Sequence, residues 1–233
     1  GFDALGKRFK HTRLDPVLMG YDIPKELFRK LQIAAAVYIS KCLPGDQFTV
    51  EEDELLERLK VQYDEIHNIT PNGMIVPKRH TIVEYNQLVG AFVSIINSCN
   101  INDLITSWHI PLNLRVKFGE VNQSNLLRHH PTEHAHSDSW AGESSESVTT
   151  HIPIFGDLDR NYLTFFTPPD NFEEEWLGAL PSYADGEEIA KRYTRLDVKP
   201  KKGFLYYHDF GGLHASYREP NAGPRITIDT TFV

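Results

Sequence analysis

Residues 112–118 read LNLRVKF, in which Leu112, Leu114, Val116 and Phe118 alternate with Asn113, Arg115 and Lys117. A period of two sends successive side chains to opposite faces of an extended chain, so this run predicts a strand with one apolar and one polar face. The pattern returns in SVTTHIPIF (147–155), YLTFFT (162–167), FLYYH (204–208) and RITIDTTF (225–232), each set between turn signals. Ahead of Pro111 the period changes. Residues 24–41 carry Leu27, Leu31, Ala34, Ala35 and Tyr38 at helical spacing, 51–66 carry Leu55, Leu56, Leu59 and Tyr63, and 80–100 form a third amphipathic stretch. Between them, residues 67–81 hold Pro71, Pro77 and Asn72-Gly73, the marks of an exposed loop that could serve as a lid. A short helical insert is expected over 187–193, before the KPKKG turn. With no repeat or linker, these elements predict one domain of residues 1–233. It is α+β with a mainly β core: 1–110 supply helical support and 111–233 a β-sandwich or barrel.

The chain has 233 residues, 40% hydrophobic and 24% charged, which suits a folded soluble domain and not a disordered or fibrous one. Its formal net charge of −8 repels phosphate backbones and anionic lipid, arguing against nucleic-acid and membrane partners. Cys42 and Cys99 stand in apolar helical contexts and read as buried, reduced thiols, consistent with the cytoplasm. No run reaches the length of a membrane span, and the opening GFDALGKRFK lacks a secretory apolar stretch. No Gly-x-Ser-x-Gly elbow, phosphate-binding loop or Rossmann fingerprint supports acyl transfer or nucleotide chemistry. The runs EEEW (173–176) and KPKK (199–202) read as a helix face and a turn.

Residues 128–140, RHHPTEHAHSDSW, hold four of the eleven histidines, a density that composition does not predict. The plain reading is a solvated polar loop; three metal readings compete with it. His136-Ser137-Asp138 is a His-x-Asp pair whose side chains, at a strand end, point to one side. With a distant His, it would complete the facial triad of a non-haem iron(II) oxygenase. His214, in LYYHDFGGLHAS and 76 residues past Asp138, can supply that ligand; His208 is its rival. The second reading is His130-Pro131-Thr132-Glu133-His134, the H-x-x-E-H pattern of zinc hydrolases. That pattern needs a helix, and Pro131 confines His130 to a cap position. The third is a cupin-like pair, His134 and His136, but Arg128 and Ala141 stand where that pattern wants Gly and Glu.

His136-Ser137-Asp138, His214 and Arg225-Ile226-Thr227, with Arg225 eleven residues past His214, together resemble the pattern of the iron(II)- and 2-oxoglutarate-dependent dioxygenases, phytanoyl-CoA-hydroxylase-like and related small-molecule hydroxylases. The resemblance spans roughly residues 111–233. It implies a double-stranded β-helix (jelly-roll, cupin-like) buttressed by N-terminal helices. It assigns iron(II) to His136, Asp138 and His214, the distal carboxylate of 2-oxoglutarate to Arg225 and Thr227, and dioxygen as oxidant. The implied reaction is hydroxylation of an unactivated C–H bond in a small polar metabolite such as an amino acid, a sugar or a natural-product intermediate. Halogenases of this family resemble the same pattern with Gly or Ala at the carboxylate, so Asp138 argues for hydroxylation. Arg225 has a physical rationale of its own, because a guanidinium fork binds a carboxylate through two parallel hydrogen bonds. The plain alternative is a surface strand arginine.

Around this set, Trp140 is expected on the side of Asp138, walling off the metal or touching substrate, with core filling the equal alternative. Arg115 and Lys117 share one strand face. Inward, Arg115 first, they would bind the acidic cosubstrate or the substrate; outward, the placement favoured for strand charges, they would be solvated. His151 reads as structural. A rival from another class is a zinc-binding β-sandwich protein, or a zinc hydrolase built on His130, Glu133 and His134.

Overall fold

The computed structural model describes residues 2–8, 11–110, 112–120 and 127–233. Its described strands form two antiparallel sheets. The larger runs in the order β1 (His11–Asp15), β2 (Leu18–Asp22), β7 (Phe204–Asp209), β4 (Val148–Gly156), β9 (Arg225–Phe232) and β3 (Asn113–Lys117). The smaller is β6 (Thr194–Arg195), β5 (Asn161–Thr167) and β8 (Leu213–Arg218). From β4 onward the chain passes repeatedly between the sheets: β4 large, β5 and β6 small, β7 large, β8 small, β9 large. This winding is the double-stranded β-helix, and all five runs read as strands belong to it.

Three long helices precede it, α2 (Lys25–Cys42), α3 (Glu52–Gln62) and α4 (Ile82–Ser98), after a short α1 (Phe2–Leu5). Pro24 bounds α2 at the N-terminus, where a missing N–H costs nothing. Glu52, Asp53 and Glu54 in the first turn of α3 complement its dipole. Leu31 and Ile39 of α2, Leu55 of α3 and Phe92 of α4 share one core with Val116, Ile152, Ile226 and Ile228 of the large sheet. Each fully buried large aliphatic side chain contributes about 1.5–3 kcal/mol.

Register decides what the other face carries. Lys117 pairs with Arg225, Arg115 with Thr227, and His151 with Asp229 across neighbouring strands. These residues therefore stand together on the face turned from the helices. That face meets the small sheet, since Arg225 of β9 reaches Asn161 of β5 and Ser216 of β8. The same alternation that hides Ile226 and Ile228 exposes Arg225, Thr227 and Asp229 to the space between the sheets.

The first stretch of the chain departs from expectation. Residues 11–22 form the hairpin β1–β2 and extend the large sheet through β7, within the segment read as helical support. LMGYD has no two-residue period, because Leu18, Met19 and Tyr21 are all buried by docking on both sides. The loop 67–81 is not free-standing either. Met74 bridges Arg115, and Gly73, at φ +82°, lies so close to Val116 that an added Cβ would sit 2.3 Å from its carbonyl oxygen. Cys99 is buried but Cys42 only half-buried; both are free thiols. Among the described residues no helix is long and apolar enough to cross a membrane.

Candidate metal centre and its cavity

A cavity of about 380 Å³ opens between the sheets, over the polar face of the large one. In its lining, His136, Asp138 and His214 bring one ligand atom each to within 4.8 Å of one another. Two of them come from paired backbone: His136 and His214 exchange N–H···O=C bonds of 2.9 Å in both directions. Asp138 does not lie on a strand. It opens a 3-10 turn (Asp138–Ala141) capped by Ser137, so a turn and not the pleat aims its carboxylate.

The second atoms of these groups are all engaged. His136 Nδ1 lies 2.6 Å from the His134 carbonyl oxygen, and His214 Nδ1 lies 3.0 Å from that of Gly212. A carbonyl only accepts, so each Nδ1 carries a proton, which makes Nε2 the atom of the neutral ring that can ligate. His214 Nε2 stands 3.6 Å from Asp138 Oδ1, and Thr149 Oγ1 donates to Asp138 Oδ2 at 2.7 Å. Burial, reinforced by the neighbouring His214, pushes the His136 pKa far down and keeps the ring in its ligating, neutral form. Two imidazoles oriented by backbone and a carboxylate oriented by a hydroxyl are a donor set that fits a divalent transition metal with open positions. Among the described residues this is the one set of three such groups with metal-ligand spacing.

The rival sets do not assemble. Residues 128–134 make turns, not the helix that the zinc-hydrolase pattern needs. Glu133 is held instead by Lys117 Nζ at 2.9 Å and Arg218 Nη2 at 2.5 Å. His208 on β7 is buried with its ring 4.5 Å from that of His214, outside the converging set.

Arg225 is 3% exposed and lines the same cavity. Its Nε donates to Asn161 Oδ1 at 2.8 Å and one Nη to Ser216 Oγ at 3.0 Å. No carboxylate lies within 4.0 Å of it among the described residues. Burial, then the positive charge of Arg218, pulls its pKa down to about 9. A buried cation with only neutral partners calls for an anion. Thr227, also buried, lines the cavity beside it.

Arg115 and Lys117 turn inward, against the solvated placement expected of strand charges. Arg115 holds Asp229 through Nε and Nη2 at 2.5 and 3.1 Å, so its fork is filled although it lines the cavity. Burial draws the Lys117 ammonium down to about 8 against the pull of Glu133. Trp140 is a correction as well. Because residue 138 starts a turn, the indole leaves the Asp138 side and fills a small core with Tyr183 and Leu213, its Nε1 donating to the Trp176 carbonyl at 2.7 Å. His151, read as structural, is buried yet lines the cavity.

Several cavity residues escaped the sequence reading. Thr149 and Asp229 were legible, since they share the alternating face of His151 and Arg225. Tyr183, whose ring stacks on His136 at 4.2 Å and 14°, comes from SYADG, which has no period or motif.

No protein-family model matches the chain, and no curated protein does. Among solved structures it is similar to an N-substituted L-amino acid dioxygenase from Burkholderia ambifaria AMMD, with 12% identity over 91% of this chain and 81% of that one and a TM-score of 0.44. It is also similar to the non-heme alpha ketoglutarate dependent carbocyclase SnoK from nogalamycin biosynthesis, with 13% identity, 91% and 84% coverage and a TM-score of 0.49. A prolyl-4-hydroxylase from Pseudomonas putida gives 14% identity, 99% and 95% coverage and a TM-score of 0.41. All three scores lie below 0.5, so the functional reading rests on the geometry of the site.

Proposed function

We propose that the protein is a non-haem iron(II)- and 2-oxoglutarate-dependent oxygenase, one catalytic domain working in a reducing cytoplasm, that hydroxylates an unactivated C–H bond of a small polar metabolite. One observation carries this reading: a single cavity holds both the convergent His136, Asp138 and His214 and the buried guanidinium of Arg225, which has no carboxylate within 4.0 Å among the described residues. A structural zinc site would use the first feature and leave the second without purpose.

Iron(II) held by His136, Asp138 and His214 would supply dioxygen activation coupled to decarboxylation, so that substrate, dioxygen and 2-oxoglutarate become hydroxylated substrate, succinate and carbon dioxide. The chain's own groups do the positioning. Arg225, held by Asn161 and Ser216, receives the distal carboxylate of the cosubstrate, with Thr227 as a second donor. Thr149 holds the Asp138 carboxylate toward the two imidazoles. The Arg115–Asp229 pair gives the cavity wall a charge-neutral, hydrogen-bonding surface.

The test is anaerobic addition of iron(II) and 2-oxoglutarate, which should produce a weak visible metal-to-ligand charge-transfer band. A metabolite screen by succinate release, with mass spectrometry for the gain of one oxygen atom, then finds the substrate. A zinc-only or metal-free binding module gives neither signal.

A further inference from the structure

Resting on that reading, we infer that the substrate is a small zwitterion, an acid and a protonated amine on one molecule as in an α-amino acid, bound between Arg128 and Glu143. Most charges facing the cavity are already matched. Arg115 is paired with Asp229, and Lys117 with Glu133. Once the site is loaded, iron(II) and Arg225 offset Asp138 and the two carboxylates of 2-oxoglutarate.

Two acidic or basic side chains of the lining, Arg128 and Glu143, have no Asp, Glu, Lys or Arg partner of opposite sign within 4.0 Å among the described residues. Arg128, exposed where it lines the cavity, donates from Nη1 to Asn72 Oδ1 at 2.9 Å, and no carboxylate is within 4.0 Å of it among the described residues. The neighbouring segment 121–126, VNQSNL, contains no ionisable side chain. Glu143 follows Gly142, whose φ of +88° turns the chain after the 3-10 turn that begins at Asp138. Its side chain is 29% exposed, with His109 Nε2 at 3.7 Å and no Lys or Arg within 4.0 Å among the described residues. One charge therefore belongs to the wall beside the 67–81 loop, and the opposite charge to the wall that carries the metal ligands.

The rest of the lining narrows the choice. Leu163 is its only aliphatic side chain among the described residues, so a hydrocarbon substrate would strand polar groups without partners. A neutral sugar would satisfy hydrogen bonds but leave Arg128 and Glu143 unmatched. A dianion would suit Arg128 and be repelled by Glu143. A zwitterion meets both, and one of amino-acid size can share the cavity of about 380 Å³ with the cosubstrate.

The experiment records the charge-transfer band of the iron(II)–2-oxoglutarate protein under nitrogen, for the native chain and for Arg128→Gln and Glu143→Gln. Each loaded protein is titrated with the twenty standard L-amino acids, then with the methyl ester and the N-acetyl derivative of any that perturbs the band, and with neutral sugars and dicarboxylates. At least one free amino acid should bind. Its two derivatives, each lacking one charge, should bind about tenfold to a hundredfold more weakly. Arg128→Gln should weaken the amino acid by a similar factor without further weakening the methyl ester, and Glu143→Gln should do so without further weakening the N-acetyl derivative. The inference is overturned if the band forms but only sugars or dicarboxylates bind, or if both variants bind the amino acid as the native chain does. Loss of the band in a variant would also overturn it, by assigning that residue to the cosubstrate. If the native chain forms no band, the oxygenase reading fails and takes the zwitterion with it.

Discussion

Thr149 Oγ1 donates a 2.7 Å hydrogen bond to Asp138 Oδ2, so strand β4 of the large sheet orients a carboxylate presented by a turn outside it. Oδ1 is left facing His214 Nε2 at 3.6 Å. Partners that orient a metal ligand commonly carry about tenfold to a hundredfold in affinity. Thr149→Val should lower iron(II) affinity by that factor in an anaerobic titration, with the strand intact because a β-branched residue remains. Unchanged affinity would show that the turn alone positions Asp138.

Replacing His136, Asp138 or His214 by Ala should abolish substrate oxidation while the circular dichroism spectrum stays that of the native chain. Near-normal turnover in Asp138→Ala or His214→Ala would refute the metal assignment, and loss of iron from His208→Ala alone would move the distal ligand to His208. With Asp138 in place, products formed in the presence of chloride should be hydroxylated; a chlorinated product would contradict its role as a ligand.

Arg225→Leu should weaken 2-oxoglutarate roughly a hundredfold to several-thousandfold, because removing one partner of a desolvated charge pair costs about 3–5 kcal/mol. Arg225→Lys keeps the charge without the fork and should fall between the two. Thr227→Ala, losing one hydrogen bond to a charged group, should lose less, about 1.5–3 kcal/mol. The dissociation constant measured with iron(II) under nitrogen decides this. Binding within a few-fold of native in Arg225→Leu would place the carboxylate elsewhere.

Acid should expose the Lys117–Glu133–Arg218 cluster. Burial opposes ionisation of Glu133, but Lys117 and Arg218 outweigh it and hold the carboxyl below its ordinary 4.5. A depressed carboxyl contributes stability that is complete above its unfolded pKa and is lost as pH falls through its folded value. Urea midpoints should therefore decline below about pH 4.5, with Asp229, held down by Arg115 against burial, adding to the decline. Glu133→Gln leaves two buried cations without their anion and should cost about 3–5 kcal/mol at neutral pH while flattening the acid limb. An acid limb as steep as the native one would rule out this role.

Trp140→Phe removes the donor to the Trp176 carbonyl and should lower stability by about 1–3 kcal/mol, seen as a lower Tm, with substrate KM unchanged. A raised KM at native Tm would return Trp140 to the substrate wall.

Alternation is a local property of the backbone, and that is why so much of the β half was legible. Once residues 225–232 are a strand, Arg225 and Thr227 must share a face opposite Ile226 and Ile228, whatever the strand packs against. Helical spacing exposed the buried stripes of α2 and α3 for the same reason. His136, Asp138 and His214 were legible through the His-x-Asp pair and the family pattern that it resembles together with His214 and Arg225. Nothing local says which face is the inside, and so the sequence favoured solvent for Arg115 and Lys117. Only the docking of the helices on the apolar face turned those cations inward, where Asp229 and Glu133 compensate them. The hairpin β1–β2 and Tyr183 owe their places to distant partners, β7 and His136. Strand period depends on torsions within a few residues, whereas burial and charge pairing depend on groups as far apart in sequence as Arg115 and Asp229, and the aim of the Asp138 carboxylate depends on Thr149 of a separate element.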